Sequence, residues 1–272
     1  MDQITDKEFV LIRDYLKQHY GISLNDEKKG LVYSRLRARV NAMGMDFSEY
    51  YKHLISCKTG EEKQFFFNAL STNHTFFWRE PDHFEYFRDK VIPWLEENVK
   101  DKDVKVWCAA SSSGEEPYTL QMILHDHFKS KQGWDVRVLA TDLSEKVLNK
   151  AVHGVYSKES IEVLPNNYKK SYFTKYDENS VQVTEEIRKL IFFRKFNLMD
   201  ERLPLRKPVH VVFCRNVMIY FESPEQKALV QRFYENTVEG GFLFIGHAES
   251  LNHTNTKYKY IMPSAYRKLE KE

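Results

Sequence analysis

The residues with the clearest chemical meaning lie in one stretch, Val104-Lys105-Val106-Trp107-Cys108-Ala109-Ala110-Ser111-Ser112-Ser113-Gly114-Glu115-Glu116-Pro117-Tyr118. Apolar residues at 104, 106 and 108 alternate as in a strand. Five consecutive Ala and Ser residues followed by Gly114 leave the backbone uncovered, so a flat ligand can approach it closely. Pro117 suits the first turn of a helix, where its missing N–H has no partner to lose. Leu120, Ile123 and Leu124 continue at helical spacing. Strand, bare loop and helix start together make the ligand-binding corner of a doubly wound α/β sheet.

The loop narrows the ligand. A dinucleotide site wants three glycines, so that a pyrophosphate can sit against a helix N-terminus. Here there is one glycine, and Glu115 and Glu116 follow it directly. Two carboxylates repel a pyrophosphate and favour an amine or sulfonium; equally, either acid alone could serve only to complement the helix dipole. The next strand, Val136-Arg137-Val138-Leu139-Ala140-Thr141-Asp142, ends in an acid. Asp142 could cap the helix that starts near Ser144. Its position one β–α unit after the small-residue loop favours binding of ribose hydroxyls instead. The expected ligand is a nucleoside with a cationic, phosphate-free tail, which describes S-adenosylmethionine better than NAD.

The elements needed to position these groups can be read from the rest of the chain. At 272 residues there is room for one large domain or two modest ones, and 42% hydrophobic content suffices for a packed core. A net charge of +2 disfavours a dedicated nucleic-acid binder. The cysteines Cys57, Cys108 and Cys214 are odd in number and far apart, so they form neither a metal spacing nor a disulfide framework, and a reducing cytoplasm is expected. No signal peptide or membrane-spanning run is visible. Residues 1–70 read as an all-α domain: Phe9, Ile12, Leu16, then Leu31, Leu36, Val40, then Phe47, Tyr50, Tyr51, Leu54 recur at helical intervals. Residues 71–90 read as a linker, and 91–272 as an α/β domain whose strands and helices alternate. Hairpin-type signals at Tyr172-Phe173-Thr174, Val181, Val183 and Ile191-Phe192-Phe193 place a small antiparallel β insertion at about 156–196.

Four segments resemble the chemotaxis receptor methyltransferases of the CheR type. They are Thr72-Asn73-His74-Thr75-Phe76-Phe77-Trp78-Arg79-Glu80, Ala110 to Tyr118, Ala140-Thr141-Asp142, and Phe213-Cys214-Arg215-Asn216-Val217-Met218-Ile219-Tyr220-Phe221. They occur in the family's order and span most of the chain. The resemblance implies a class I S-adenosylmethionine-dependent methyltransferase: a Rossmann-like doubly wound sheet with a small antiparallel β insertion, preceded by an all-α domain. It implies a cytoplasmic protein-glutamate O-methyltransferase that converts chemoreceptor glutamates to methyl esters and leaves S-adenosylhomocysteine. It implies cofactor contacts from Asn73, Thr75 and Arg79, with Arg79 pairing the methionine carboxylate; its planar fork suits that task. Glu115 would take the methionine amine and Asp142 the ribose. Asn197, Leu198, Arg215 and Asn216 would line the pocket, and Tyr220 would lie near the transferred methyl. Arg79 and Tyr220 are thus the expected catalytic pair.

The substrate side rests on Lys28, Lys29, Arg35, Arg37 and Arg39, a basic run with no acid among them. Alone it reads as a solvated helix face, or as an RNA contact that the near-neutral total disfavours. In the family such a face docks the acidic methylation helices of the receptor. Some members also capture a receptor tail peptide on the β insertion, by way of a longer, glycine-containing turn. The turn Lys175-Tyr176-Asp177-Glu178-Asn179-Ser180 is short and glycine-free, so independence from such a peptide is expected. A monomer that binds neither nucleic acid nor metal and does not insert into membranes completes the expectation. The rival readings are a regulator that keeps the pocket without transfer, and a methyltransferase acting on RNA or a small molecule.

Overall fold

The computed structural model describes residues 3–251 and 256–269. The chain divides into two units, Met1–Thr72 with Tyr220–Glu225, and Asn73–Ile219 with Gln226–Glu272.

The first unit holds four helices: α1 (Asp6–Tyr20), α2 (Lys29–Ala42), α3 (Phe47–Ser56) and α4 (Gly60–Leu70). Two of them start on capping boxes, Thr5 with Glu8 and Asp46 with Glu49, in which each side chain bonds the other residue's backbone N–H. Their apolar stripes supply the unit's buried side chains: Phe9, Ile12 and Leu16 from α1, Val32, Leu36 and Val40 from α2, Phe47, Tyr50 and Leu54 from α3. Burying each large apolar side chain contributes about 1.5–3 kcal/mol. The segment 220–225 joins this unit through Glu222, which accepts from Lys17 Nζ at 2.7 Å and Ser23 Oγ at 2.9 Å.

Contacts within this unit also engage three of the five basic residues. Arg39 pairs with Glu62, whose side chain is 4% exposed and also accepts from Tyr50 Oη at 2.8 Å. Arg35 Nη1 donates to the carbonyls of Ala69 and Ser71 at 3.1 and 3.0 Å, satisfying the end of α4. Lys29 reaches Asp6 at 2.5 Å. Lys28 and Arg37 are exposed, and among the described residues neither forms an ion pair.

The second unit opens with a loop and a helical run, α5 (Pro81–Tyr86), a wide turn at Phe87–Val91, and α6 (Ile92–Asn98). Pro93 cannot donate in the usual i→i−4 pattern, and the wide turn precedes it directly. The main sheet follows: β1 (Asp103–Cys108), α7 (Glu115–Phe128), β2 (Asp135–Asp142), α8 (Glu145–His153), then a small three-stranded sheet of β3 (Val155–Ser157), β4 (Phe173–Lys175) and β5 (Ser180–Val183). Helices α9 (Asn166–Tyr172) and α10 (Glu185–Arg188) flank β4 and β5. The main sheet resumes with β6 (Ile191–Lys195), β7 (Val209–Cys214), α11 (Ser223–Glu235), β8 (Thr237–Ile245), β9 (Lys259–Met262) and β10 (Ala265–Arg267). Its order is β6-β2-β1-β7-β8-β10-β9; the first five strands are mutually parallel, and β10 runs antiparallel to both its neighbours.

One expectation is corrected here. Ile191-Phe192-Phe193 was assigned to the β insertion, yet β6 pairs in parallel with β2, from Val138↔Ile191 to Asp142↔Lys195. Alternation along a strand says which face is buried but not which partner it finds, so a returning sheet strand and an insertion strand read alike. The insertion proper has the order β3-β5-β4 and ends at Val183. Among the described residues no helix is long and apolar enough to cross a membrane.

Candidate active site

The parallel register brings four chain exits to one edge. Cys108 lies beside Ala140 and Phe213, and Cys214 beside Ile245, so Ala109, Asp142, Arg215 and Gly246 all leave at the carboxyl ends of their strands. Strand order reverses at β1, between β2 and β7, which is where open α/β sheets bind ligands.

The loop after β1 is pinned to its neighbours. Ser111 N donates to Thr141 O at 2.9 Å, and Ser112 N to Asp142 Oδ2 at 2.8 Å. Asp142 Oδ1 accepts from Ser144 N at 2.9 Å, while Ser144 caps α8 by accepting from Val147 N. Burial pushes the Asp142 carboxyl up; the bonds from Ser144 and Ser112 oppose it. Phe196 N donates to the Asp142 carbonyl at 3.0 Å, which sets Asn197 and Leu198 next to this corner. Asn197 Oδ1 accepts from Met199 N at 3.0 Å, and Leu198 O from Arg232 Nη2 at 2.7 Å.

Gly114 has a packing reason beside the one expected. Its φ is +99°, and a Cβ there would meet Tyr156 Oη at 2.8 Å and Ala151 Cβ at 2.9 Å. The glycine lets α7 and α8 approach, while the serines before it are themselves buried.

The two loop glutamates part company. Glu115, 6% exposed, accepts from Ser113 Oγ at 2.7 Å and lies 3.8 Å from Lys150 Nζ. Glu116 turns to Cys108 Sγ at 3.2 Å and Arg215 Nη1 at 2.9 Å, the latter an ion pair outside hydrogen-bonding angles. Burial raises both carboxyls; Arg215 opposes this at Glu116, and the Ser113 bond does so at Glu115.

Arg215 is the hub. Its side chain is 1% exposed, it lies over the Phe84 ring at 5.2 Å, and Nη2 donates to Glu80 Oε2 at 2.9 Å and to the Arg79 carbonyl at 2.5 Å. Glu80 Oε1 accepts from Asn216 Nδ2 at 3.1 Å and His247 N at 3.2 Å. Burial alone would raise Glu80; the Arg215 charge, with the bonds from Asn216 and His247, more than offsets it and holds the carboxyl below its usual range. Burial, with Arg215 nearby, lowers the His83 imidazole to about 4. Asn216 has a left-handed φ of +58°. Glu249 fixes it by accepting from the N–H groups of Asn216 (3.0 Å), Val217 (3.0 Å), Ile219 (3.2 Å) and Gly246 (2.5 Å).

Of the residues singled out in the sequence, Asn73 joins this edge through its carbonyl, which accepts from Ser112 Oγ at 3.2 Å. Thr75 is half-buried in the same loop. Arg79 Nη1 donates to the His74 carbonyl at 2.9 Å, and its guanidinium lies 5.7 Å over the Phe76 ring; among the described residues no carboxylate forms an ion pair with it. Tyr220 falls in the helical unit, where its carbonyl accepts from Ser23 N at 2.8 Å. Sequence reading gave no role to Glu80, Glu249, His83 or His247. Glu80 did lie inside one of the quoted motifs, and a carboxylate directly after Arg79 was a usable signal.

Comparison with known proteins agrees with this architecture. The model of the CheR methyltransferase all-alpha domain matches residues 7–71, and that of the CheR methyltransferase S-adenosylmethionine-binding domain matches residues 73–267. The chain belongs to the CheR methyltransferase family. A chemotaxis protein methyltransferase of Borreliella burgdorferi is 36% identical over 270 residues, covering 97% of this chain and 95% of that protein. The chemotaxis protein methyltransferase of Escherichia coli is 35% identical over 260 residues, covering 94% of this chain and 88% of its own length. This CheR-family member is an S-adenosylmethionine-dependent methyltransferase of the chemotaxis class, with the class I fold expected from its sequence.

Proposed function

We propose that this enzyme methylates glutamate side chains of chemoreceptors, giving glutamyl methyl esters. The observation that carries the reading is the double family match, which covers both the helical and the cofactor-binding domain. The donor set at the sheet edge suits the cofactor. Asp142 ends β2 as a carboxylate with acceptor capacity for a ribose diol, and Arg79 offers a guanidinium with no carboxylate of its own. On this reading Asn73, Thr75, Arg79, Glu115, Asp142, Asn197, Leu198, Arg215 and Asn216 hold the cofactor. Arg215 acts from within, because both Glu80 and Glu116 already engage it. Glu115 would reach an amine by sharing the carboxylate that Ser113 now holds.

When bound, S-adenosylmethionine supplies a methyl group on a sulfonium, open to in-line attack. No protein residue has to take a proton, since a glutamate carboxylate with a reference pKa near 4.3 is ionised at neutral pH. The enzyme's task is then to orient the reactants and exclude water, effects that supply about 7–11 kcal/mol in favourable cases. The Glu80–Arg215–Glu116 cluster and the Glu249 clamp make the edge rigid. On the family resemblance, Tyr220 is assigned a role near the transferred methyl.

Docking of the receptor is assigned to the basic run from Lys28, in the turn before α2, through Arg39. Lys28 and Arg37 carry the free charge there, since Arg35 and Arg39 are engaged within the unit. The turn between β4 and β5 closes on itself, with Asp177 Oδ1 accepting from Asn179 N at 2.8 Å and Ser180 N at 2.7 Å. That compact turn supports independence from a receptor tail peptide; binding of such a peptide at micromolar affinity would overturn it. The central test is transfer of tritiated methyl from S-adenosylmethionine to receptor-containing membranes, followed by alkaline release of methanol. Base-labile label on the receptor is expected; cofactor binding without label on any of several receptors would point to the regulator reading.

A further inference from the structure

Beside the cofactor edge, four side chains from two distant segments converge, and of these only Glu80 has a part in the site above, through Arg215 and Asn216. Glu80 precedes α5, Asp82 and His83 lie on it, and His247 follows β8. Glu80, His83 and His247 each offer one ligand atom, and these atoms all lie within 4.8 Å of one another. His247 Nε2 is 3.1 Å from Asp82 Oδ2, and His83 Nδ1 is 3.4 Å from Glu80 Oε2. Ligand atoms around a tetrahedral zinc ion with bonds of about 2.0–2.1 Å stand about 3.3–3.4 Å apart.

The His83 ring gives the independent sign of a ligand. It is fully buried, and its Nε2 is 3.1 Å from the Pro263 carbonyl, an acceptor that requires the proton on Nε2. Nδ1 is then left with its lone pair, buried and without a hydrogen-bond partner, facing a carboxylate oxygen. Two lone pairs opposed in a buried setting are unfavourable unless a cation sits between them. A ring N–H fixed on a backbone carbonyl with the other nitrogen bare is the arrangement metal-ligating histidines adopt. Charge points the same way, because Glu80 and Asp82 together outweigh the single Arg215 that pairs with Glu80. The His247 and Asp82 side chains are 43% and 40% exposed, which gives an ion a route in.

We propose that Glu80, Asp82, His83 and His247 form a binding site for a divalent zinc-type cation. Two imidazoles with two carboxylates suit zinc, whereas magnesium demands octahedral oxygen ligands and keeps its waters. Glu80 Oε2 accepts from Arg215 Nη2 at 2.9 Å and Nε at 3.3 Å, and it would serve the metal in place of the longer of these two bonds. The ion would tie the start of α5 to the loop after β8.

The test needs neither cofactor nor receptor. The full-length protein, stripped with a chelator and dialysed, is titrated calorimetrically with zinc chloride alone, then with magnesium chloride. One zinc per chain at micromolar affinity or tighter is expected, with no saturable magnesium binding. Zinc at 100-fold its dissociation constant should raise the melting temperature by about 5–10 °C. His247→Ala should weaken zinc binding about tenfold or more, and Cys57→Ser, removing the most exposed thiol, should leave it unchanged. Absence of a saturable zinc site, or unchanged affinity in His247→Ala, would overturn the assignment.

Discussion

Ser112 donates its backbone N–H to Asp142 Oδ2 at 2.8 Å, so a single carboxylate ties the loop after β1 to the end of β2. The same carboxylate is the proposed acceptor of the ribose. In Asp142→Asn, an amide nitrogen turned toward Ser112 would set donor against donor, and an oxygen turned that way would do the same at Ser144. A hydrogen bond to a charged group is worth about 1.5–3 kcal/mol, so affinity for S-adenosylhomocysteine should fall about 10- to 100-fold. Isothermal titration measures this, and an unchanged affinity would remove Asp142 from the site.

Glu249 holds four backbone N–H groups on one buried carboxylate. Glu249→Gln keeps the shape but turns one acceptor into a donor, leaving at least one N–H opposed. A loss of about 1–3 kcal/mol in stability is expected, together with weaker cofactor binding as Asn216 loses its fixed left-handed backbone. Gly246→Ala tests the same joint from the other side, because its Cβ would clash with Asn216 Nδ2 and fall 2.8 Å from Asn216 N. Denaturant unfolding of both variants beside cofactor titration separates stability from binding; wild-type values in both would deny the clamp.

The parts of the site legible in the sequence were those coded locally. A strand, a small-residue loop and a helix start lie within fifteen consecutive residues from Val104 to Tyr118, so their order alone implied the corner. Asp142 was legible because a strand ends on it. Glu249 and His247 were not, because only the parallel register of β7 and β8 brings the segment after β8 to Asn216, and Glu80 lay in a motif without its partner Arg215 being evident. The same blindness affected β6, whose apolar residues said strand without saying which sheet. Gly114 was noticed for the right conformational freedom, and its missing Cβ also serves packing against Ala151 and Tyr156, which the sequence did not show. From Lys28 through α2 the sequence displayed five positive charges, while Glu62, the partner of Arg39, lies on another helix.

Arg39 and Glu62 make stability depend on pH. Burial would raise the Glu62 carboxyl, but hydrogen bonds from Arg39 and Tyr50 outweigh burial and hold it below its usual range. A carboxyl depressed in the folded state adds stability above its unfolded pKa, and that stability is lost as pH falls through the folded value. Wild-type protein should therefore lose stability on acidification below the ordinary carboxylate range, and Glu62→Gln should show a shallower loss. Equal slopes in denaturant midpoint against pH would remove Glu62 from the acid response.

Arg79 and Tyr220 are expected to separate binding from turnover. Arg79→Ala should weaken binding of S-adenosylhomocysteine about tenfold or more, with Arg79→Lys recovering little, because an ammonium cannot make the two-pronged contact. Tyr220→Phe should bind the cofactor normally and transfer slowly. Unchanged affinity in Arg79→Ala, or normal turnover in Tyr220→Phe, would withdraw the corresponding role.

The basic face of α2 allows docking to be tested without disturbing the fold. Arg39→Ala strips the buried Glu62 of its cation and should cost about 2 kcal/mol of stability, so a rise in KM in that variant says nothing about docking. Lys28→Glu with Arg37→Glu reverses two exposed charges that form no ion pair among the described residues; Arg37 lies 5.9 Å over the Tyr33 ring. Surface substitutions of this kind normally shift stability by less than about 0.5 kcal/mol. The double variant should keep its melting temperature and cofactor affinity while KM for receptor membranes rises several-fold, more at low salt than at high, since exposed charges are screened beyond about 10 Å at 0.1 M ionic strength. A wild-type KM at low salt would move the docking surface elsewhere.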